Sequence, residues 1–135
     1  GECSPIFRNC QFLNNSSDLD GGAVFNDGRH EGQSSPIFED CFFIGNKGNY
    51  GGALCNYGGR GQSNPRLKNC VFRNNEAYLR GGAMFNMDVQ GMATPIINDC
   101  QFIENKAVAG NGIYTFSQPV NSIEPAATKA SYKEN

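Results

Sequence analysis

Apolar and polar positions alternate over short stretches throughout this chain. Cys10 and Phe12 fall on one side of an extended segment and Gln11 on the other, and the same reversal recurs around Cys41, Cys70 and Cys100. A period of two over so few residues predicts strands and is too short for an amphipathic helix. Prolines stand just ahead of these segments, where a missing N–H costs a sheet least. Gly-Gly pairs follow them and predict sharp turns or close backbone approaches. Each unit of the pattern is expected to hold two or three strands of three to five residues.

The pattern is written four times. "PIFRNCQFLNN" begins at Pro5, "PIFEDCFFIGN" at Pro36, "PRLKNCVFRNN" at Pro65 and "PIINDCQFIEN" at Pro95, at intervals of 31, 29 and 30 residues. Cys10, Cys41, Cys70 and Cys100 keep those intervals, as do Phe12, Phe43, Phe72 and Phe102, and Asn15, Asn46, Asn75 and Asn105. A second phrase reads "GGAVFN" at Gly21, "GGALCN" at Gly51, "GGAMFN" at Gly81 and "GNGIYT" at Gly110, and carries Asn26, Asn56 and Asn86. A glutamine recurs in the loop beyond it, at Gln33, Gln62 and Gln90. A fifth, partial unit is expected from Pro125, with Ala130 in the place of the Cys, Tyr132 in that of the Phe and Asn135 in that of the Asn.

No such unit has a face large enough to bury itself alone, so successive units must stack. One all-β domain over residues 1–135 is expected, a parallel β-solenoid of about four and a half coils of ~30 residues with rungs ~4.8 Å apart. Like residues then lie upon one another. The Phe12 column fills the interior, and the Asn15 and Asn26 columns form hydrogen-bonded ladders at turns. The Val24/Leu54/Met84/Ile113 column is expected to face inward, with Phe25/Cys55/Phe85/Tyr114 partly exposed. Asn9, Asp40, Asn69 and Asp99 fit a corner that needs unusual dihedrals. Arg8, Glu39, Lys68 and Asn98 are expected to face water.

Composition narrows the partners. Eleven basic residues against 13 acidic give a net charge of −2, with no basic stripe to hold a phosphate backbone, so nucleic acid is not expected. No apolar run approaches the ~20 residues of a membrane span. Seventeen glycines and the absence of Trp agree with many short strands and turns.

The pairing of "GGA" plus an aliphatic residue with F-x-x-N ("FLNN", "FIGN", "FRNN", "FIEN") resembles the repeats of the chlamydial polymorphic outer-membrane proteins. The fuller phrase, as in "NYGGRGQSNPRLKNCVFRNN", is similar to the right-handed parallel β-helix repeats of large secreted bacterial surface proteins. The likeness runs from Cys3 to about Thr115 and more faintly to Asn135. It implies a right-handed parallel β-helix, an extracellular or cell-surface location, and adhesion or a structural stalk. In distant relatives it implies polysaccharide cleavage.

Six cysteines are the first chemical candidates. Adjacent rungs bring the Cα atoms of the Cys10 column within the disulfide window of about 4.4–6.8 Å. Parallel stacking holds their Cβ atoms slightly too far apart, so the column reads as buried thiols acting as small hydrophobes. Cys3 and Cys55 fall off it, open to a bond with each other, a bond with another molecule, or neither. No Cys/His cluster has zinc spacing. His30 is the one histidine, between Arg29 and Glu31 in the loop that varies most, where a ligand or glycan contact competes with a solvated turn. Asp18 and Asp20 are the calcium alternative to a chain with no cofactor, though they match neither an EF-hand loop nor the glycine- and aspartate-rich calcium repeat, and a solvated turn competes. Asn14 and Asn15 fit glycosylation acceptors, but Asn15 is needed in its ladder. A hydrolase or lyase needs a carboxylate with an acid or base partner on one exposed face. Glu39 and Lys68 meet that description only as an ordinary surface pair, so no catalytic or metal residue is assigned.

An open solenoid end offers unpaired backbone and apolar rungs to any passing strand, and the sequence shows no cap. The leading expectation is a non-enzymatic extracellular structural protein that stacks head to tail with copies of itself into a filament. Cys3, Pro125, Tyr132 and Asn135 form the candidate assembly interface. The alternatives are an adhesin or stalk module meeting host or matrix glycans or proteins, and then a polysaccharide-active domain.

Overall fold

The chain turns where asparagine and aspartate recur. Asn9, Asp40, Asn69 and Asp99 all take left-handed φ values of 52–53°, a conformation that these short polar side chains tolerate. A second corner falls at Asn14, Gly45, Asn74 and Glu104, with φ of 52–69°. The strands between such corners are three or four residues long, because the next corner arrives before they can extend.

The structure, a computed structural model, describes residues 1–118 and the backbone of 129–134. The first coil holds β1 (Glu2–Cys3), β2 (Ile6–Arg8), β3 (Gln11–Leu13) and β4 (Val24–Asp27). The second holds β5 (Gln33–Ser34), β6 (Ile37–Glu39), β7 (Phe42–Ile44), β8 (Lys47–Tyr50) and β9 (Leu54–Tyr57). The third holds β10 (Arg66–Lys68), β11 (Val71–Arg73), β12 (Glu76–Arg80) and β13 (Met84–Val89). The fourth holds β14 (Ile96–Ile103) and β15 (Ile113–Gln118), and β16 (Lys129–Glu134) follows.

All pairings are parallel and join equivalent segments of neighbouring coils. One wall runs β2-β6-β10-β14, the next β3-β7-β11-β14, and another β4-β9-β13-β15, with β8 on β12 and β1 on β5 as shorter walls. β14 serves two walls because the Asp99 corner lies inside it. Coils thus carry up to five strands, more than the alternation predicts. The additional ones, such as β5 ("QS") and β8 ("KGNY"), are short and polar; stacking rather than hydrophobic period makes them strands.

Columns fill the interior. Phe12, Phe43, Phe72 and Phe102 stack with centroids 4.6, 4.6 and 4.8 Å apart and planes within 3°. A second column, Phe7, Phe38, Leu67 and Ile97, packs beside them, with Phe38 edge-on to Phe43 at 5.4 Å. Leu54 and Met84 are fully buried, and Val24 and Ile113 pack on the same core. Burying each aromatic is worth about 1.5–3 kcal/mol. Coils approach so closely that glycine is required: a Cβ on Gly52 would lie 2.1 Å from the carbonyl oxygen of Gly82.

The Phe25 column points away from the core yet is largely covered. Phe25 is 40% exposed and Tyr114 half-buried, while Cys55 and Phe85 are buried. Tyr50 lies against Phe85 at 4.9 Å, and Arg80 over Tyr114 at 5.0 Å.

Two registers differ from the spacing of the letters. Gln33 and Gln62 are followed by Met92, whereas Gln90, immediately before Gly91, matches Arg60 before Gly61. Position against the paired wall overrides residue identity. β16 pairs in parallel on β14, as a partial coil should, but Ala130 sits opposite Ile97 and Tyr132 opposite Cys100. The expected partners, Cys100 and Phe102, are missed by three and two residues. The tail phrase has lost the bulky residues that pin a register. Pro125 and Asn135 lie outside the described residues.

Candidate functional site

The repeated asparagines form two polar spines. Each Oδ1 of the first ladder accepts twice from the preceding coil: Asn46 from Asn15, Asn75 from Asn46 and Asn105 from Asn75, through backbone N–H and side-chain Nδ2–H at 2.9–3.0 Å. Each Nδ2 also donates backward to a Phe carbonyl, Asn46 to Phe12, Asn75 to Phe43 and Asn105 to Phe72. The second ladder runs Asn26 to Asn56 at 2.7 Å, Asn56 to Asn86 at 2.8 Å, and Asn86 to Thr115 Oγ1 at 3.1 Å. Among the described residues no buried side-chain nitrogen or oxygen lacks a partner, which a buried spine demands.

All six cysteines are free thiols. In the column, Cys10, Cys41, Cys70 and Cys100 donate to backbone carbonyls two residues before them, at 3.2–3.4 Å. Burial pushes the Cys41 thiol up to about 11. It pushes Cys55 up as well, with the nearby Asp20 carboxylate adding to the rise. Such thiols are poor nucleophiles. Cys3 is exposed on β1, beside Ser34 of β5.

The acidic candidates are dispersed. Asp20 takes a hydrogen bond from the Tyr50 backbone, and burial holds its carboxyl above the usual range. Asp18 uses its backbone carbonyl to accept from Asn49 at 2.8 Å. Among the described residues no group of three or more His, Cys, Asp or Glu is placed to hold a metal. Glu39 and Lys68 are rung neighbours, but Glu39 pairs with Arg8 at 2.8 Å.

Concave surface with convergent polar groups lies in the variable loop. Glu31, Arg60 and Gln90 succeed one another along the axis, each in left-handed backbone with φ of 64°, 57° and 55°. His30 is an extra residue in the first coil, also left-handed at 56°. These four line a cavity of about 390 Å³. An adjoining one of about 290 Å³ shares His30, Arg60 and Gln90 and adds Tyr57, Gly59, Met87 and Val89. Arg29 forms its shoulder, clamped on Asp27 by two bonds of 2.8 and 2.7 Å and lying over Tyr57 at 5.3 Å.

Residues 1–125 match the family described as right handed beta helix region. The chain belongs to the right-handed β-helix family. No curated protein and no solved structure matches it. In this β-helix the repeated letters are interior and corner residues, so they define the coil; its distinctive surface is the loop column, where the letters stop repeating. Among the described residues no helix is long and apolar enough to cross a membrane.

His30, with Arg29 and Glu31, stands out in the sequence as the one histidine where the repeat breaks; Arg60 and Gln90, which complete the cavity, do not stand out. The signal was available: Glu31, Arg60 and Gln90 each precede a glycine, Gly32, Gly61 or Gly91.

Proposed function

We propose that this protein is a non-enzymatic structural solenoid of an extracellular bacterial surface, whose coils stack head to tail with further copies into a filament. The polarity of the asparagine ladder carries the reading. From Asn15 to Asn75 each ladder residue donates Nδ2–H to the following coil, and from Asn46 to Asn105 each accepts on Oδ1 from the preceding one, so the free edge of the ladder at one end is complementary to a donor edge of the same kind. On the first coil, Phe7, Cys10, Phe12 and Val24 are half-buried, and Phe12 stacks on Phe43 from one side. A further coil there completes their burial and the Asn15 acceptor. Such a heterologous contact does not close on itself and so propagates. The likeness of the "GGA" and F-x-x-N phrases to the chlamydial polymorphic outer-membrane repeats supports the surface location.

Electron microscopy and light scattering over rising concentration test this. Fibres one coil wide are expected, and Val24→Lys with Asn15→Asp, which charge the first-coil face, abolish them. Discrete particles at every concentration would overturn the filament.

A second reading, an adhesin or stalk module of a larger surface protein, is favoured by the loop cavity, because it breaks the repeat. Its partners are host or matrix glycans or proteins, and a glycan array with the loop variant Arg60→Ala as control tests it.

A further inference from the structure

Some opposite charges on neighbouring rungs of this solenoid pair, and others, such as Lys68 beside Glu39 and Lys106 beside Glu76, do not. Arg8 meets Glu39 at 2.8 Å, and Lys47 meets Glu76 at 3.4 Å. Glu31 and Arg60 are also rung neighbours, joined by a backbone bond from Glu31 N–H to the Arg60 carbonyl at 2.8 Å. Their side chains form no ion pair, and among the described residues neither has a hydrogen-bond partner. Both instead line the 390 Å³ cavity. Both side chains leave left-handed backbone on neighbouring rungs, and the two charges share the cavity without forming an ion pair.

Next to this dipolar cavity lies an apolar one. Tyr57, Met87 and Val89 supply its wall. Its room comes from Gly59, where an added Cβ would meet nothing closer than Arg29 Cγ at 3.6 Å. Arg29 borders this cavity, and its charge is compensated by Asp27, whose carboxylate takes two bonds along one edge of the guanidinium.

We propose that this cleft is a binding site for small zwitterions with an apolar body, the chemistry of an apolar α-amino acid. Arg60 takes the carboxylate, with the planar fork suited to it. Glu31 takes the ammonium. The apolar side chain lies over Gly59 against Tyr57, Met87 and Val89, while Gln90 and His30 flank the polar end. A ligand with only one charge leaves the other cleft charge uncompensated, and one without an apolar body leaves the second cavity wet. The proposal is independent of the filament reading.

Calorimetric titration and amide NMR of the whole chain test it, with L-leucine as probe. Three comparisons dissect it: 4-methylpentanoate lacks the ammonium, isoamylamine lacks the carboxylate, and glucuronate is an acid without the apolar chain. Leucine is expected to bind at least tenfold more tightly than each, shifting amides of residues 30–32, 59–61 and 89–91. Arg60→Ala and Glu31→Gln each weaken it tenfold or more. Gly59→Leu fills the cleft and abolishes binding, while the melting temperature stays within a few degrees. No binding by about 50 mM leucine, binding indifferent to Gly59→Leu, or a preference for glucuronate would overturn the proposal.

Discussion

Asn46 accepts two hydrogen bonds from Asn15 on a single oxygen, at 2.9 and 3.0 Å, and donates the same pair to Asn75. The backbone at each corner is thereby satisfied by the side chain of the next coil. Removing a central member severs both directions. Asn75→Ala strands the Asn46 donors and the Phe43 carbonyl in a buried site, at a cost of on the order of 3–5 kcal/mol. Asn15→Ala, exposed and bonded on one side, costs about 1 kcal/mol. Urea midpoints of the two variants check the asymmetry.

Phe72 has a stacked ring on each face, at 4.6 and 4.8 Å. Phe72→Ala opens a cavity between coils and is expected to cost about 3–5 kcal/mol. Phe72→Leu, which keeps most of the volume, costs about half as much. Thermal melts of both decide whether the aromatic column or simple filling holds the coils.

Asp88 occupies the place that Gly28 and Gly58 hold in earlier coils, is 7% exposed, and accepts from Ala93 N–H at 3.3 Å. Burial raises its folded pKa. The folded state therefore binds this proton more tightly than the unfolded one, and stability falls as pH rises from the ordinary carboxylate range through the raised value. Asp88→Asn keeps the acceptor and removes the charge. It is expected to be more stable than the parent at pH 7, with the difference vanishing near pH 3. Unfolding free energies across that range provide the check.

The thiols separate by access. Cys3 is exposed and Cys10 half-buried, while Cys41, Cys55, Cys70 and Cys100 are buried. Brief treatment of native protein with iodoacetamide at pH 8 should label Cys3 first, Cys10 slowly, and the other four only after unfolding. Peptide mass spectrometry reads the order. Early labelling of Cys55 would contradict the cover over the outer face.

The coil was legible because three columns repeat one letter: Cys10, Phe12 and Asn15 with their copies show the period without any knowledge of the walls. The Phe7/Phe38/Leu67/Ile97 column was hidden, since an interior site accepts any bulky apolar group and no single letter marks it. Gln90 lies two residues out of the Gln33/Gln62 column, because Met92 holds that rung and the recurring glutamine is a coincidence of letters, not of register. The cleft was harder still. Its side chains are unlike one another by necessity, and only the folded rungs bring Glu31, Arg60 and Gln90 together.

The extra residue at His30 has a consequence beyond the cleft. Gln33 is already back opposite Gln62, so the surplus length is absorbed before the next wall begins. Foreign peptides spliced at this bend should leave the scaffold undisturbed, and inserts in successive turns would be displayed side by side as a closely spaced array.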